Sequence, residues 1–256
     1  MAALSLTPFA IAVAALIVGS FLGVVIDRLP RGEGWALGRS HCRHCDTALT
    51  SSDLVPIVSW ALARGRCRHC GRAIGLFYPA VELASLAVAL SALIAIPAHD
   101  LPLVVFSLLL GWSLLALAWI DWRHFILPDA LTLPLIAAGL AMSAWIAPEN
   151  MSDHVIGAAA GYGGFVTIEH LYRRLRGRDG LGRGDAKLMA AGGAWLSWAG
   201  LPSVLLLASL GGIVLWLAMS WRRDAAQSLQ RPLPFGPALA GAIWIVWLLG
   251  PLDFAT

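Results

Sequence analysis

Charge is what this chain has least of. Charged residues make up 13% of its 256 residues, about half the share of an ordinary soluble domain, while 59% are hydrophobic. That balance excludes a water-soluble globule, and the mean hydropathy of +0.75 points to an integral membrane protein. Short segments of alternating polarity are also missing, which excludes a transmembrane barrel. No Lys or Arg precedes the first apolar run, Leu4 to Ile26, whereas Arg28, Arg31 and Arg39 follow it. A cleavable signal carries its positive charge in front, so a retained helix with its N-terminus outside is expected.

What the chain does have is apolar runs of a length that suits helices crossing a hydrocarbon core of roughly 30 Å. The expected fold is all-α and polytopic, with about eight spans, near 4–26, 77–97, 101–120, 129–147, 154–172, 186–199, 201–220 and 234–250. The sixth is the shortest and holds Gly192 and Gly193. On this alternation all 18 Lys and Arg fall on the cytoplasmic side, and the loops 98–100 and 147–153 and the tail 251–256 carry none. The net charge of +3 therefore reads as topology and contact with anionic lipid, not as nucleic-acid binding. Three regions follow: a first transmembrane helix (1–27), a cytoplasmic segment (28–76) and a membrane domain of seven helices (77–256).

The polar segment is too short for a large core and needs a staple. All four cysteines lie in it, as Cys42-x-x-Cys45 and Cys67-x-x-Cys70 with 21 residues between the pairs. Two such pairs can offer four thiolates to one structural zinc ion. Disulfides are the competing reading, disfavoured on the cytosolic side. His41, His44 and His69 are read as neighbours of the site, since four thiolates already fill it. Glu82 enters the second span one turn down, either favoured there by the helix dipole or as part of a site.

Two aspartates organise the rest. Asp121 closes a long apolar run, and Asp185 ends the glycine-rich turn GLGRGD. An ionisable carboxylate at the edge of a bilayer is expensive, so two of them form a functional hypothesis. A pair on one membrane face can work as an aspartic dyad: one ionised member takes a proton from water while the protonated one polarises a carbonyl. Gly182 and Gly184 allow close approach of a substrate backbone to Asp185, and Pro128 breaks the helix after Asp121. Lys187 and Asp129 flank the pair as supporting residues, Asp129 being read as the N-cap of the fourth span over a direct catalytic part. Helix dipoles place Asp185 as the ionised base and Asp121 as the proton carrier.

These pieces together, with GSFLGVVIDRLP, PIVSW, RGRCRHC, YPAVE, the Asp121 to Asp129 stretch DWRHFILPD, GRGDAKL and PFGP, resemble the type IV prepilin leader peptidases, intramembrane aspartic peptidases of bacterial pilus and type II secretion systems. The resemblance runs from Gly19 to Pro237. It implies that Asp121 and Asp185 are the catalytic pair, that Cys42, Cys45, Cys67 and Cys70 bind zinc, and that the substrates are prepilins or pseudopilins, cut after the glycine ending a basic leader. It also implies N-methylation of the new N-terminus with S-adenosylmethionine, although no nucleotide-binding fingerprint is visible. The implied location is the bacterial inner membrane, with both termini periplasmic and the zinc segment cytoplasmic. Two departures stand out: Gly23 where the family usually has Asn, and Arg43 where proline commonly follows the first cysteine. A basic leader meeting a basic surface needs compensation, expected from Asp27, Glu33, Asp53 or Glu82. Two alternatives stay open: an intramembrane peptidase of other membrane helices, and a proton- or cation-coupled transporter. A transporter would favour mid-span carboxylates and paired repeats, whereas these lie at an edge and no repeat is evident.

Overall fold

The computed structural model describes residues 2–35, 38–97, 99–177, 182–220 and 234–252. Of the basic residues assigned above to the cytoplasmic side, Arg178, Arg222, Arg223 and Arg231 lie outside the described residues, as does most of the tail 251–256. Those residues form eight α-helices and no extended strand: α1 Ala2–Arg28, α2 Val58–Leu62, α3 Phe77–Ala95, α4 Leu101–His124, α5 Asp129–Ile146, α6 Met151–Arg176, α7 Arg183–Ser220 and α8 Gly236–Leu249. Short 3-10 turns lie at Leu29–Arg31, Ser51–Asp53 and Pro148–Asn150.

Among the described residues, five helices are long and apolar enough to cross a membrane: those at Pro8–Arg31, Phe77–Ala95, Leu101–His124, Asp129–Ile146 and Arg183–Met219. This makes the chain an all-helical membrane protein, and five of its described helices meet that criterion by themselves against the eight expected spans. Two physical reasons account for the difference. α6 carries Asp153, His154, Glu169 and His170 along its length, which dilutes its apolar character. α7 comprises two helices, in line with the two expected spans at 186–199 and 201–220, which run on from one another across a kink where Ser197 departs from helical torsions at φ 59°. Pro202 explains the kink, because its ring would clash with the carbonyl one turn earlier, at Trp198. α8, at 14 residues, is apolar but short.

The chain forms two compact units, 1–116 and 117–256, with the division inside α4. In the first unit α1 packs on α3. The backbones meet at Gly19, where an added Cβ would lie 2.7 Å from the Glu82 Cα. Buried Ser85 donates its hydroxyl to the Ala15 carbonyl at 2.6 Å, and the Trp112 indole donates to the Ser85 carbonyl. Such bonds matter more where no water competes.

In the second unit α7 packs against α5, α6 and α8. Small residues set the spacing: an added Cβ at Gly193 would lie 2.1 Å from the Gly157 carbonyl oxygen, so α6 and α7 touch backbone to backbone. Buried Trp195 donates its indole N–H to the Leu135 carbonyl at 2.8 Å and stands edge-on to Trp247 at 5.5 Å. It thereby ties α7 to α5 and α8.

Candidate active site and metal centre

Asp121 lies within the last turn of α4, which continues past it to His124 before the backbone turns at Phe125 with φ 55°. The Phe125 N–H closes that turn on the Asp121 carbonyl. The side chain is 6% exposed. Its Oδ2 accepts the backbone N–H of Gly236 at 2.9 Å, across 115 residues of chain. Gly236 is the first residue of α8, so the carboxylate caps that helix. A Cβ on Gly236 would lie 2.6 Å from Asp121 Oδ2, so only glycine fits at this contact.

Asp185 occupies the first turn of α7 and is half-buried. Its N–H donates to the Gly182 carbonyl at 3.1 Å, and a Cβ on Gly182 would stand 3.3 Å from its Oδ2. Gly184 faces Leu127, whose Cβ would be 2.9 Å from an added Cβ, so the start of α7 packs on the bend 125–128 that follows Asp121. That packing brings the end of α4 and the start of α7, with their aspartates, into one region of the second unit.

The supporting residues sort differently from expectation. Pro128, not Asp129, is the N-cap of α5; Asp129 is the first helical residue and its carboxylate pairs with Lys187. The Pro128 carbonyl accepts the first N–H groups of α5, from Leu131 and Thr132, which puts the helix start one residue before Asp129. Glu82, 5% exposed, belongs to the first unit, where its Oε2 accepts the Ile57 N–H at 2.7 Å. The dipole argument also changes: Asp185 keeps its helix N-terminus, but Asp121 now has one as well, that of α8, so dipoles alone no longer separate the two carboxylates.

Gly236 is the residue that sequence reasoning missed. Its signal was present in Pro234-Phe235-Gly236-Pro237, whose two prolines flank a glycine that rigid geometry must place.

In the first unit, Cys42, Cys45, Cys67 and Cys70 bring their sulfurs within 4.8 Å of one another, close enough to hold a metal ion. The two pairs share one local design. Cys42 N–H donates to Thr47 O and Asp46 N–H to Cys42 O; twenty-five residues later Cys67 N–H donates to Arg72 O and Gly71 N–H to Cys67 O. Backbone bridges His41 to Ala48 and Arg66 to Ala73 close the two knuckles at the same offset. Hydrogen bonds with Thr47 bring the Cys45 thiol down to about 6. Backbone N–H groups of Cys70 and His69 lower that of Cys67. Cys70, despite a backbone N–H from Arg72, is raised to about 11 by desolvation and by its three neighbouring sulfurs.

The two departures acquire reasons. Arg43 reaches Asp27 at the foot of α1, where Arg31 also pairs with it at 3.1 Å, so the first knuckle is tied to the membrane helix. Gly23 makes room for Tyr78, whose Cδ1 would be 2.8 Å from an added Cβ. Of the four acids expected to compensate a basic leader, Asp27 is held by Arg31 and Arg43, Asp53 by Arg68 at 3.3 Å and Glu33 by Arg31 at 3.9 Å.

Sequence comparison accords with this geometry. The bacterial peptidase A24 N-terminal domain matches residues 13–96, and the type IV leader peptidase family matches residues 108–217. A prepilin leader peptidase/N-methyltransferase of Burkholderia pseudomallei (strain 1026b) is 42% identical over 253 residues, spanning 89% of this chain and 81% of the relative. Proteins of the same name from Aeromonas hydrophila and Dickeya chrysanthemi are each 40% identical, spanning 92% and 90% of this chain and 88% and 89% of theirs. No solved structure matches the chain.

Proposed function

Since the chain belongs to the type IV leader peptidase family, we propose that it removes the leader from prepilins or pseudopilins and then methylates the new N-terminus. The observation that carries the peptidase reading is the packing of the two aspartate-bearing segments, with Asp121 clamped by Gly236 and Asp185 at the start of α7, where Gly184 rests on Leu127 of the bend after Asp121. Asp185, half-buried, is the member with access to water and serves as the base. It takes a proton from water as the oxygen attacks the carbonyl carbon of the leader's last glycine. Asp121, with one oxygen held by the Gly236 N–H, carries its proton on the other and passes it to the carbonyl oxygen. The tetrahedral diol then collapses: the carbon–nitrogen bond breaks, the leaving amine takes the proton from Asp185, and Asp121 recovers its own. No metal takes part in these steps.

Zinc is the metal that best suits four cysteine sulfurs in this arrangement, held by Cys42, Cys45, Cys67 and Cys70 in a closed structural role. S-adenosylmethionine would supply an electrophilic methyl group for the second activity, which the relatives' name includes. The roles divide as 1–27, 28–76 and 77–256: anchor helix, cytoplasmic zinc segment and catalytic membrane domain. The reading places the protein in the bacterial inner membrane, with both termini periplasmic and the cut made at the cytoplasmic face. The arginine distribution supports that orientation, and a prepilin's basic leader and apolar helix put its cleavage point at the same level.

The test is cleavage of a purified prepilin by the detergent-solubilised protein beside Asp121→Asn and Asp185→Asn. Each amide keeps the shape and removes ionisation. Folded variants that no longer cut are expected; a folded variant that cuts at the wild-type rate removes that aspartate from the mechanism.

A further inference from the structure

The first unit contains a cavity of about 720 Å³, within the range of small-molecule sites, lined by α1, the knuckle segment and the start of α3. We propose that this cavity holds the methyl donor, with Glu82 facing its sulfonium; the proposal rests on the N-methylation reading above.

Four observations carry it. First, Glu82 lines the cavity, is 5% exposed, and among the described residues has no cation within ion-pair distance. Its polar partners, the Ile57 N–H at 2.7 Å and the Ser20 side chain, are both uncharged. A buried carboxylate without a countercharge is costly unless it takes up a proton or something cationic joins it. Second, the residue that supplies that N–H is strained. Ile57 sits at φ 59°, in a region that a β-branched side chain avoids. Strain of this sort collects where a ligand is clamped.

Third, two aromatic rings in the lining are fixed in advance. Trp60 donates its indole N–H to the Gly75 carbonyl at 2.8 Å and rests on Gly65, where an added Cβ would lie 3.0 Å from its ring. Tyr78 lies against Gly23. Preset aromatic faces suit both a nucleobase and a sulfonium. Fourth, the lining carries both signs, six arginines and five acids. A ligand that is itself an amino acid with an added positive charge meets partners for each group. A polycationic leader would meet the arginines, so the leader is the weaker candidate for this cavity.

The proposal has a chemical corollary. On transfer the methyl–sulfur bond breaks with its electron pair left on sulfur, the methyl–nitrogen bond forms, and the amine proton goes to water. The spent donor is a neutral thioether, so Glu82 should favour donor over product.

The experiment measures equilibrium binding of S-adenosylmethionine and S-adenosylhomocysteine to the full-length, metal-loaded protein in detergent, beside Glu82→Gln. Wild type is expected to prefer the sulfonium by about tenfold or more, and Glu82→Gln to bring the ratio near one while thioether affinity is kept. Ultraviolet cross-linking of radiolabelled donor to wild type, followed by peptide mapping, gives a second readout that needs no variant; label within residues 54–82 is expected. An unchanged ratio in Glu82→Gln, or label in the second unit, overturns this site and leaves methylation standing. No donor binding by wild type overturns the methylation reading and this proposal with it.

Discussion

Gly236→Ala is the sharpest perturbation of the proposed active site, because it adds one methyl group and removes nothing. The Gly236 N–H that binds Asp121 remains, and its backbone lies outside the left-handed region, so alanine carries no conformational penalty there. What changes is space. The new Cβ would stand 2.6 Å from Asp121 Oδ2, 2.9 Å from its Cγ and 3.0 Å from its Cβ, and moving the first contact out to 3.4 Å requires a shift of about 0.8 Å. Pro237 follows directly and α8 is packed on α7, so the carboxylate is what yields. A displacement of about 1 Å in a catalytic group can lower the rate about 10²-fold, equivalent to about 2.7 kcal/mol of activation free energy. The assay is single-turnover cleavage of prepilin under saturating enzyme, with thermal unfolding of both proteins in the same detergent. Gly241→Ala is the control, since an added Cβ there meets nothing within 4 Å on the same helix. Gly236→Ala should be slow and folded, and Gly241→Ala should match wild type. A folded Gly236→Ala that cuts at the wild-type rate would refute the reasoning.

Other consequences can be tested separately. Gly193→Ala puts a Cβ 2.1 Å from a backbone oxygen and should destabilise the second unit by at least about 1–3 kcal/mol, seen as a lower unfolding temperature. Cys67→Ser should abolish stoichiometric metal in the purified protein by elemental analysis, while the dyad variants retain it. Asp53 is held below the usual carboxylate range by the Thr50 hydroxyl and N–H, so its contribution is complete above the unfolded value and lost as pH falls through the folded one. Wild type should therefore loosen around the knuckles only in acid, measured by hydrogen exchange, and Asp53→Asn should already be loosened at neutral pH. Disrupting the partly exposed Lys187 and Asp129 pair with Asp129→Asn should cost no more than about 1 kcal/mol in unfolding measurements.

Features written in local patterns were legible before the structure. The cysteine pairs announce a shared metal because each pair needs only one tight turn, and Asp121 and Asp185 stand out as charges at the ends of apolar runs. What escaped was long-range. No pattern near Asp121 points to a glycine 115 residues away, and no pattern near Asp129 names the lysine 58 residues on that pairs with it. A hydropathy window places two spans on either side of Ser197 but cannot see that they run on from one another across a kink there, nor can it fix the status of a helix as mixed as α6. Glu82 was read as poised between a helix role and a site; only the fold of residues 54–60 over the start of α3 gives it Ile57 as a partner and a cavity to face.

If the four cysteines hold zinc as proposed, the two matched knuckles make the stability of their segment a variable. Neither turn alone encloses an ion, and the staple exists only when both close on the same one. If the ion binds the folded segment and not the unfolded chain, each tenfold fall in free metal removes about 1.4 kcal/mol from the folded form. Because Arg43 leads from the first knuckle to Asp27 on α1, that loss is passed to the membrane helix. On the proposed metal binding, the cell's metal supply would act on this protein as temperature does, setting how much of the segment is intact at any moment.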